Sequence, residues 1–462
     1  MKLSSLEIAG LTDIVGRAAV RLAADLRSRD PGIDPENFGA NLMVRPAHTL
    51  ELSRVLAYCH AAHIAVVPQG GRTGLAGGAV SRPGQVIVSL DRMSRIEALD
   101  PVSRTVLVGA GVTLAALAAQ AAEHGLSPGI DLGARDSATL GGMISTNAGG
   151  AAAFRHGTMR DRVLGLEVVL ADGSVLSELA LVRKRNEGLP VERLFAGAEG
   201  TLGVIARATL SLVLADGPAA TAMVGLRDLA AGVALADALL RNRSLTLTAL
   251  ELMSANHAAT VCRSCDLKGF DDLVAAPYLL LVAGSAASGA AAEAALVAEL
   301  ETATSSELIL DAVVAQNETQ RAAMWRMRED WAVDREYPGG IWFDVSVPLA
   351  QLPGYLYSAA ARLQRHPAGL SVFVIGHLGD GNVHLTVNAA QPVSELYEDI
   401  AELVTADLAA HGGSFSAEHG IGLEKRATLQ RLVSPVKLAL MRQLKTALDP
   451  QGIMNPGKVL PD

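Results

Sequence analysis

Three glycine-dense segments, each beside a short apolar run, constrain this chain more than any other feature. Pro68-Gln-Gly-Gly-Arg-Thr-Gly-Leu-Ala-Gly-Gly78 carries five glycines directly after the β-rich run Ile64–Val67. A second group runs from Pro128-Gly-Ile-Asp-Leu-Gly133 through Gly141-Gly142 and Thr146-Asn-Ala-Gly-Gly150 to Arg155-His-Gly157. Gly197-Ala-Glu-Gly-Thr-Leu-Gly203 is the third. Each glycine in a regular element costs roughly 0.5–1 kcal/mol, so this density at strand ends points to backbone that closely approaches something flat or anionic. The spacing is neither a dinucleotide fingerprint nor a Walker loop, because no G-x-G-x-x-G opens a helix and no Gly-Lys-Ser/Thr follows. Gly109-Ala-Gly111 begins such a pattern and lacks its third glycine.

The rest of the sequence sets the frame. At 462 residues two domains are expected. Half the residues are apolar and the net charge is -9, which argues against a phosphate-backbone partner, and aromatics at 3% leave no ladder for stacking bases. No nucleic-acid partner is expected. Cys59, Cys262 and Cys265 are too few for a disulfide framework or a four-thiolate cluster; Cys262-Arg-Ser-Cys265 has redox spacing but reads as two inert thiols. The start, Met1–Gly10, lacks the apolar stretch of a signal peptide, and a cytoplasmic protein is expected. Residues 273–292 are uncharged over 20 positions, yet Pro277 and the small residues after Val282 favour one buried strand over a membrane span.

Along the chain, short β-rich runs alternate with helices up to about 215. A helix over about 48–62 is expected, with Thr49 as its cap, then strands at 86–90 and 105–109 and a helix from Thr113 stopped by Gly125. The run 164–170 enters an Asp172-Gly173 hairpin. After about 216 longer Ala-rich helices are expected over 227–241, 289–304, 317–335, 350–364 and 392–411, with strands at 371–375 and 383–387 and a last helix over 423–447.

Two further motifs carry chemistry. Gly376-His377-Leu-Gly-Asp-Gly-Asn-Val-His384 sets two imidazoles seven positions apart across a glycine turn, and Glu418-His419-Gly420 follows in Ser416–Gly420. Two imidazoles and a carboxylate suit zinc or a related divalent ion, although spacing alone leaves two ordinary histidines open. The same donor set suits Fe(II), so a non-haem iron oxygenase is an alternative.

Taken together, the glycine segments resemble the FAD-binding domain of vanillyl-alcohol-oxidase-type flavoproteins. The two histidine motifs resemble the signature of FAD-linked D-2-hydroxy-acid dehydrogenases. The resemblance implies an α+β fold of two domains: a lead-in at 1–37, an FAD-binding domain at 38–216, a substrate cap with the metal site at 217–419, and a segment at 420–462 returning to the FAD domain. It implies noncovalent FAD held by Pro68, Gly70, Gly71, Arg72, Thr73 and Gly74 at the pyrophosphate. Along ribityl and isoalloxazine it implies Pro128, Leu132, Gly133, Ser137, Gly141, Gly142, Thr146, Asn147, Ala148 and Gly149, continued by Arg155 and Gly157. Glu199, Gly200 and Val204 fall on the adenine side, and Asn455 completes the set. It further implies His377, His384 and Glu418 as ligands of a divalent metal, Zn²⁺ by preference, His419 as base, and Arg328 as the carboxylate-binding arginine, with Arg326 pointing elsewhere.

The implied activity is oxidation of a D-2-hydroxy acid to the 2-oxo acid by hydride transfer to flavin. Relatives acting on D-2-hydroxyglutarate or D-malate carry a lysine where Trp342 stands, and an asparagine is common where Thr386 stands. These departures favour D-lactate-like monocarboxylates over the diacids. A flavin subunit of a glycolate oxidase-type complex is a further alternative. The electron acceptor is expected among quinone, cytochrome and electron-transfer flavoprotein, and a homodimer is the default.

Overall fold

The computed structural model describes residues 3–389 and 393–461, and the chain divides into two compact units. Unit 1 comprises 1–150, 156–215 and 418–462; unit 2 comprises 151–155 and 216–417. Each unit has its own apolar cores.

Unit 1 contains two larger sheets. In the first, Leu42–Val44 and Val66–Gln69 lie parallel to Val86–Ser89, with Val20–Leu22 antiparallel at the edge. Val86–Ser89 is buried at every position, as expected for a strand covered on both faces. In the second, Ile96–Asp100, Thr105–Gly109, Val204–Ser211, Val163–Val169 and Val175–Glu178 form an antiparallel sheet in that order. The hairpin closes at Asp172-Gly173, where Gly173 has φ +88° and Leu170 N–H donates to the Ser174 carbonyl. Gly109 and Gly111 pack against backbone: a Cβ on either would lie 2.1 Å from a carbonyl oxygen. Their role is therefore close packing.

The helix Thr49–Ala61 forms as its apolar spacing predicts, but its cap is His48, whose side chain accepts from Glu51 N–H. Thr49 is drawn away because its hydroxyl donates to the buried Glu167 carboxylate at 2.5 Å. The helix expected over 423–447 is two helices, Arg426–Leu432 and Pro435–Leu448. Pro435 disfavours helical backbone at Ser434, whose side chain instead accepts from Lys437 N–H and starts the second helix.

Unit 2 is built on a seven-stranded antiparallel sheet. Its order is Ile309–Val314, Ala219–Leu226, Tyr278–Ser285, Thr246–Ser254, Ser371–His377, Asn382–Asn388, Ile341–Ser346. The uncharged run 273–292 thus supplies an inner strand, and no helix among the described residues is long and apolar enough to cross a membrane. One face packs against Leu229–Arg241, Gly289–Ser305, Leu352–Gln364 and Tyr397–Thr405. The other packs against Ala255–Cys265 and Glu318–Glu329. The helix expected over 317–335 stops at Glu329 and resumes as Ala332–Glu336. The one expected over 392–411 begins at a residue outside those described, and its helical core is Tyr397–Thr405.

Candidate flavin and metal sites

In unit 1 the glycine segments, far apart in sequence, fold against one another. A Cβ on Gly71 would lie 2.0 Å from the Ser137 carbonyl oxygen, and one on Gly70 would lie 2.2 Å from Thr139 Oγ1, so the first loop fits only without side chains there. A Cβ on Gly141 would lie 2.5 Å from that of Ala110. The third segment joins them: Gly197 and Glu199 donate backbone N–H groups to the Ile144 and Ser145 carbonyls. A Cβ on Gly200 would lie 3.0 Å from the Pro68 ring, and the segment leads into the strand that Val204 begins. Asn147 adopts left-handed backbone at φ +56° and ends the helix Leu140–Thr146; its side-chain oxygen accepts from Thr158 Oγ1 at 2.8 Å and from Arg160 N–H at 2.9 Å. Thr146 Oγ1 donates back to the Gly142 carbonyl, and Ala148 N–H to that of Met143.

The C-terminal segment is tied into the same unit. Asn455 donates to the Gly78 and Glu199 carbonyls at 3.1 and 2.7 Å, and Lys458 to that of Val80 at 2.6 Å. Glu199 accepts from the N–H groups of Ile421 and Gly422 at 2.7 and 2.9 Å; burial outweighs those bonds and pushes its carboxyl above the usual range. Around this cradle the buried polar atoms Arg72 Nε, Thr139 Oγ1 and Asn455 Oδ1 have no hydrogen-bond partner. Side-chain-free loops with unsatisfied buried polar atoms are what a nucleotide cofactor would complete. No Cβ contact within 4 Å is met at Gly74 or Gly133, so the cradle has open margins there. The backbone at Gly157 is turned at φ +72° against Asp161. Arg155 falls in unit 2, with its guanidinium paired to Asp216 at 2.9 Å.

The histidine motif lies in unit 2, on the sheet face opposite the larger core. His377 ends its strand across from Glu251, and His384 stands between Ile375 and Asp344 in the neighbouring register. The two rings are perpendicular with centroids 5.5 Å apart. Each has a carboxylate at Nδ1: Glu251 Oε1 at 2.8 Å from His377, and Asp344 Oδ1 at 3.6 Å from His384. At His377 the hydrogen-bonded carboxylate on Nδ1 favours the tautomer whose lone pair is on Nε2, the usual arrangement behind metal-bound imidazole, whereas 3.6 Å at His384 is beyond hydrogen-bond reach. Asp344 is fully buried and also accepts from Ala417 N–H at 3.0 Å.

Arg328 stands on the last turn of Glu318–Glu329, buried, with Nε 2.8 Å from Glu251 Oε2. Arg326 turns outward and pairs with Asp330 at 3.5 Å, because two positions rotate a helical side chain far from its neighbour. Glu251 is 1% exposed. Burial raises its carboxyl, but His377 and Arg328 outweigh it and hold the group below the usual range. Sequence reasoning assigned no role to Glu251 or Asp344. The signal was there for Glu251, a lone charge inside the apolar run Thr246–Ser254.

Glu418 and His419 belong to unit 1, where Glu418 Oε2 accepts from Gly150 N–H at 3.0 Å and His419 Nε2 is 3.8 Å from Glu418 Oε1. The cysteines hold no comparable chemistry: burial pushes Cys59 up to about 12 and Cys262 to about 11, far from thiolate at neutral pH.

Comparison with known proteins decides the family. Residues 218–459 match the FAD linked oxidases, C-terminal domain, and residues 40–177 match an FAD binding domain. The chain belongs to the FAD-linked D-2-hydroxy-acid dehydrogenases. It is 35% identical over 425 residues to the mitochondrial D-2-hydroxyglutarate dehydrogenase of Arabidopsis thaliana, covering 91% of this chain and 75% of that one. The D-2-hydroxyglutarate dehydrogenase of Xanthomonas citri is 35% identical over 421 residues, 90% and 88% of the two chains. Among solved structures, p-cresol methylhydroxylase superposes with a TM-score of 0.76 at 17% identity, over 99% of this chain and 97% of that one. 4-Ethylphenol oxidase from Gulosibacter chungangensis gives 0.73 at 19%, over 100% and 98%. At such low identity these establish the fold alone: the vanillyl-alcohol-oxidase-type α+β flavoprotein fold.

Proposed function

We propose that this FAD-dependent hydroxy-acid dehydrogenase oxidises a D-lactate-like 2-hydroxy monocarboxylate to the 2-oxo acid, with a divalent ion, Zn²⁺ by its donor set, held by His377, His384 and Glu418. The observation that carries the substrate preference is Trp342. It lies two residues along the strand from Asp344, roughly 7 Å by strand rise, and directly opposite Thr386. Its ring meets Trp331 edge-on at 5.5 Å, and its only N–H donates to Asp334 at 2.7 Å. A distal carboxylate there would find a spent donor and an acid, whereas a methyl or other apolar side chain would find aromatic surface.

When bound, FAD supplies the hydride acceptor and the divalent ion supplies a Lewis acid that eases loss of the hydroxyl proton. Arg328 presents its guanidinium fork to the substrate carboxylate, since a planar bidentate donor orients a 2-hydroxy acid better than a point charge. His419 takes the hydroxyl proton. The flavin contacts are those named above, from Pro68 to Asn455. Electrons leave to a quinone, a cytochrome or an electron-transfer flavoprotein. A second reading, D-2-hydroxyglutarate, rests on the names of the relatives at about 35% identity.

The test is anaerobic bleaching of the flavin band by D-lactate, D-2-hydroxyglutarate, D-malate, glycolate and their L-forms where chiral, with and without chelator and restored zinc. Fastest bleaching by D-lactate, lost with chelator, is expected; fastest bleaching by D-2-hydroxyglutarate would replace this reading with the second. His384→Ala should keep its FAD and lose bleaching, and undiminished bleaching in that variant would remove the metal role.

A further inference from the structure

Glu251 touches both arms of the proposed site within unit 2. Oε1 lies 2.8 Å from His377 Nδ1 and Oε2 lies 2.8 Å from Arg328 Nε. Its position is imposed from three directions. Strand register puts it opposite His377, alternation along the strand turns it to the face shared with Ala249 and Met253, and the helix bearing Met324 and Met327 packs on that face and delivers Arg328. A fully buried charge is retained in a fold only when its partners satisfy it, and here each oxygen has its own partner. Glu251 meets the guanidinium on its Nε side at ion-pair distance without an aligned hydrogen bond, so its hold on Arg328 is electrostatic.

From this we infer that Glu251 is a positioning residue shared by metal and substrate. It fixes the His377 tautomer so that Nε2 serves the ion, and it fixes the Arg328 fork toward the substrate carboxylate, so the two affinities depend on a single side chain. The inference rests on the reading of His377 and Arg328 given above. Glu251 itself touches neither ligand.

The experiment uses the full-length FAD-bound protein and three measurements: zinc affinity by competition with a chromophoric chelator, KM and the limiting rate of flavin reduction with D-lactate, and FAD content. Glu251→Gln keeps the shape and removes the charge. It should weaken zinc binding 10–100-fold, as loss of an outer carboxylate does. KM should rise at least tenfold, with FAD content unchanged. A double cycle separates positioning from mere stability. In an Arg328→Lys background, which has already lost the fork, Glu251→Gln should add less than threefold to KM and still weaken zinc by its full factor. Unchanged zinc affinity and KM in Glu251→Gln, or fully multiplicative KM effects in the double variant, would overturn the proposal. If Glu251→Gln does not accumulate with bound FAD, Glu251→Asp takes its place: the retained but shortened charge should weaken zinc and KM together, and movement of only one would overturn the shared role. Failure of the underlying reading looks different, because His377→Ala would then leave zinc affinity intact and Arg328→Lys would leave KM intact.

Discussion

At the scale of single residues, burial decides which ionisable groups matter. His257, on Ala255–Cys265, is buried; that burial, reinforced by the positive charge of Arg328, lowers its imidazole to about 4, although a hydrogen bond with the Met327 backbone opposes the shift. The sign of the consequence is fixed. Above pH 6.5 the ring is neutral folded and unfolded, so it contributes no pH dependence. Between 6.5 and about 4 the unfolded chain takes up a proton that the folded chain refuses, and stability falls as pH drops. The full loss is on the order of 3 kcal/mol, reached below pH 4. Denaturant unfolding at pH 7, 5.5 and 4.5 should show His257→Gln losing less stability with acid than the parent; parallel curves would show that His257 does not titrate this way.

At the scale of elements, the glycine loops are a steric fit rather than a flexible tether. Gly71→Ala would force its Cβ to 2.0 Å from the Ser137 carbonyl, where only backbone displacement gives relief. Overpacking of this kind costs about 1–3 kcal/mol. The displaced segment includes Ser137 and runs on to Gly141 and Gly142, so the variant should lose FAD on dilution as well as stability. Retention of FAD on gel filtration equal to the parent would contradict a cradle role. Much of this was legible: glycine density after a strand is a local signal. The helix break at Ser434-Pro435 was equally local, and the apolar periodicity that runs through it concealed it. Thr49 shows the opposite case, because its competing partner Glu167 is 118 positions away and no window of sequence contains both.

At the scale of the molecule, the two units have separate sets of cores. FAD bound to folded unit 1 stabilises that unit by mass action, about 2.7 kcal/mol at a hundredfold excess over Kd. Scanning calorimetry should therefore resolve two transitions, of which added FAD raises one by several degrees. A single transition moved as a whole would show that the units melt together. The mixed parallel and antiparallel sheets of unit 1 and the antiparallel sheet of unit 2 also explain why the chain changes texture near 216, where short strands give way to longer helices that cover the two faces of a single sheet.

What the sequence determined by itself was whatever depends on near neighbours: glycine loops at strand ends, the Asp172-Gly173 hairpin, the seven-residue spacing of His377 and His384, and the outward turn of Arg326 beside Arg328. These need only backbone sterics and helix or strand period. Tertiary structure alone decided which distant groups meet. Glu251 joins His377 and Arg328 because a strand register and a helix docking coincide, Asn455 reaches Gly78 and Glu199 because the C-terminal segment folds into unit 1, and Trp342 is matched with Thr386 by pairing across two strands. Pairing of that kind is set by burial of whole faces, and a residue's own neighbours in sequence carry no record of it.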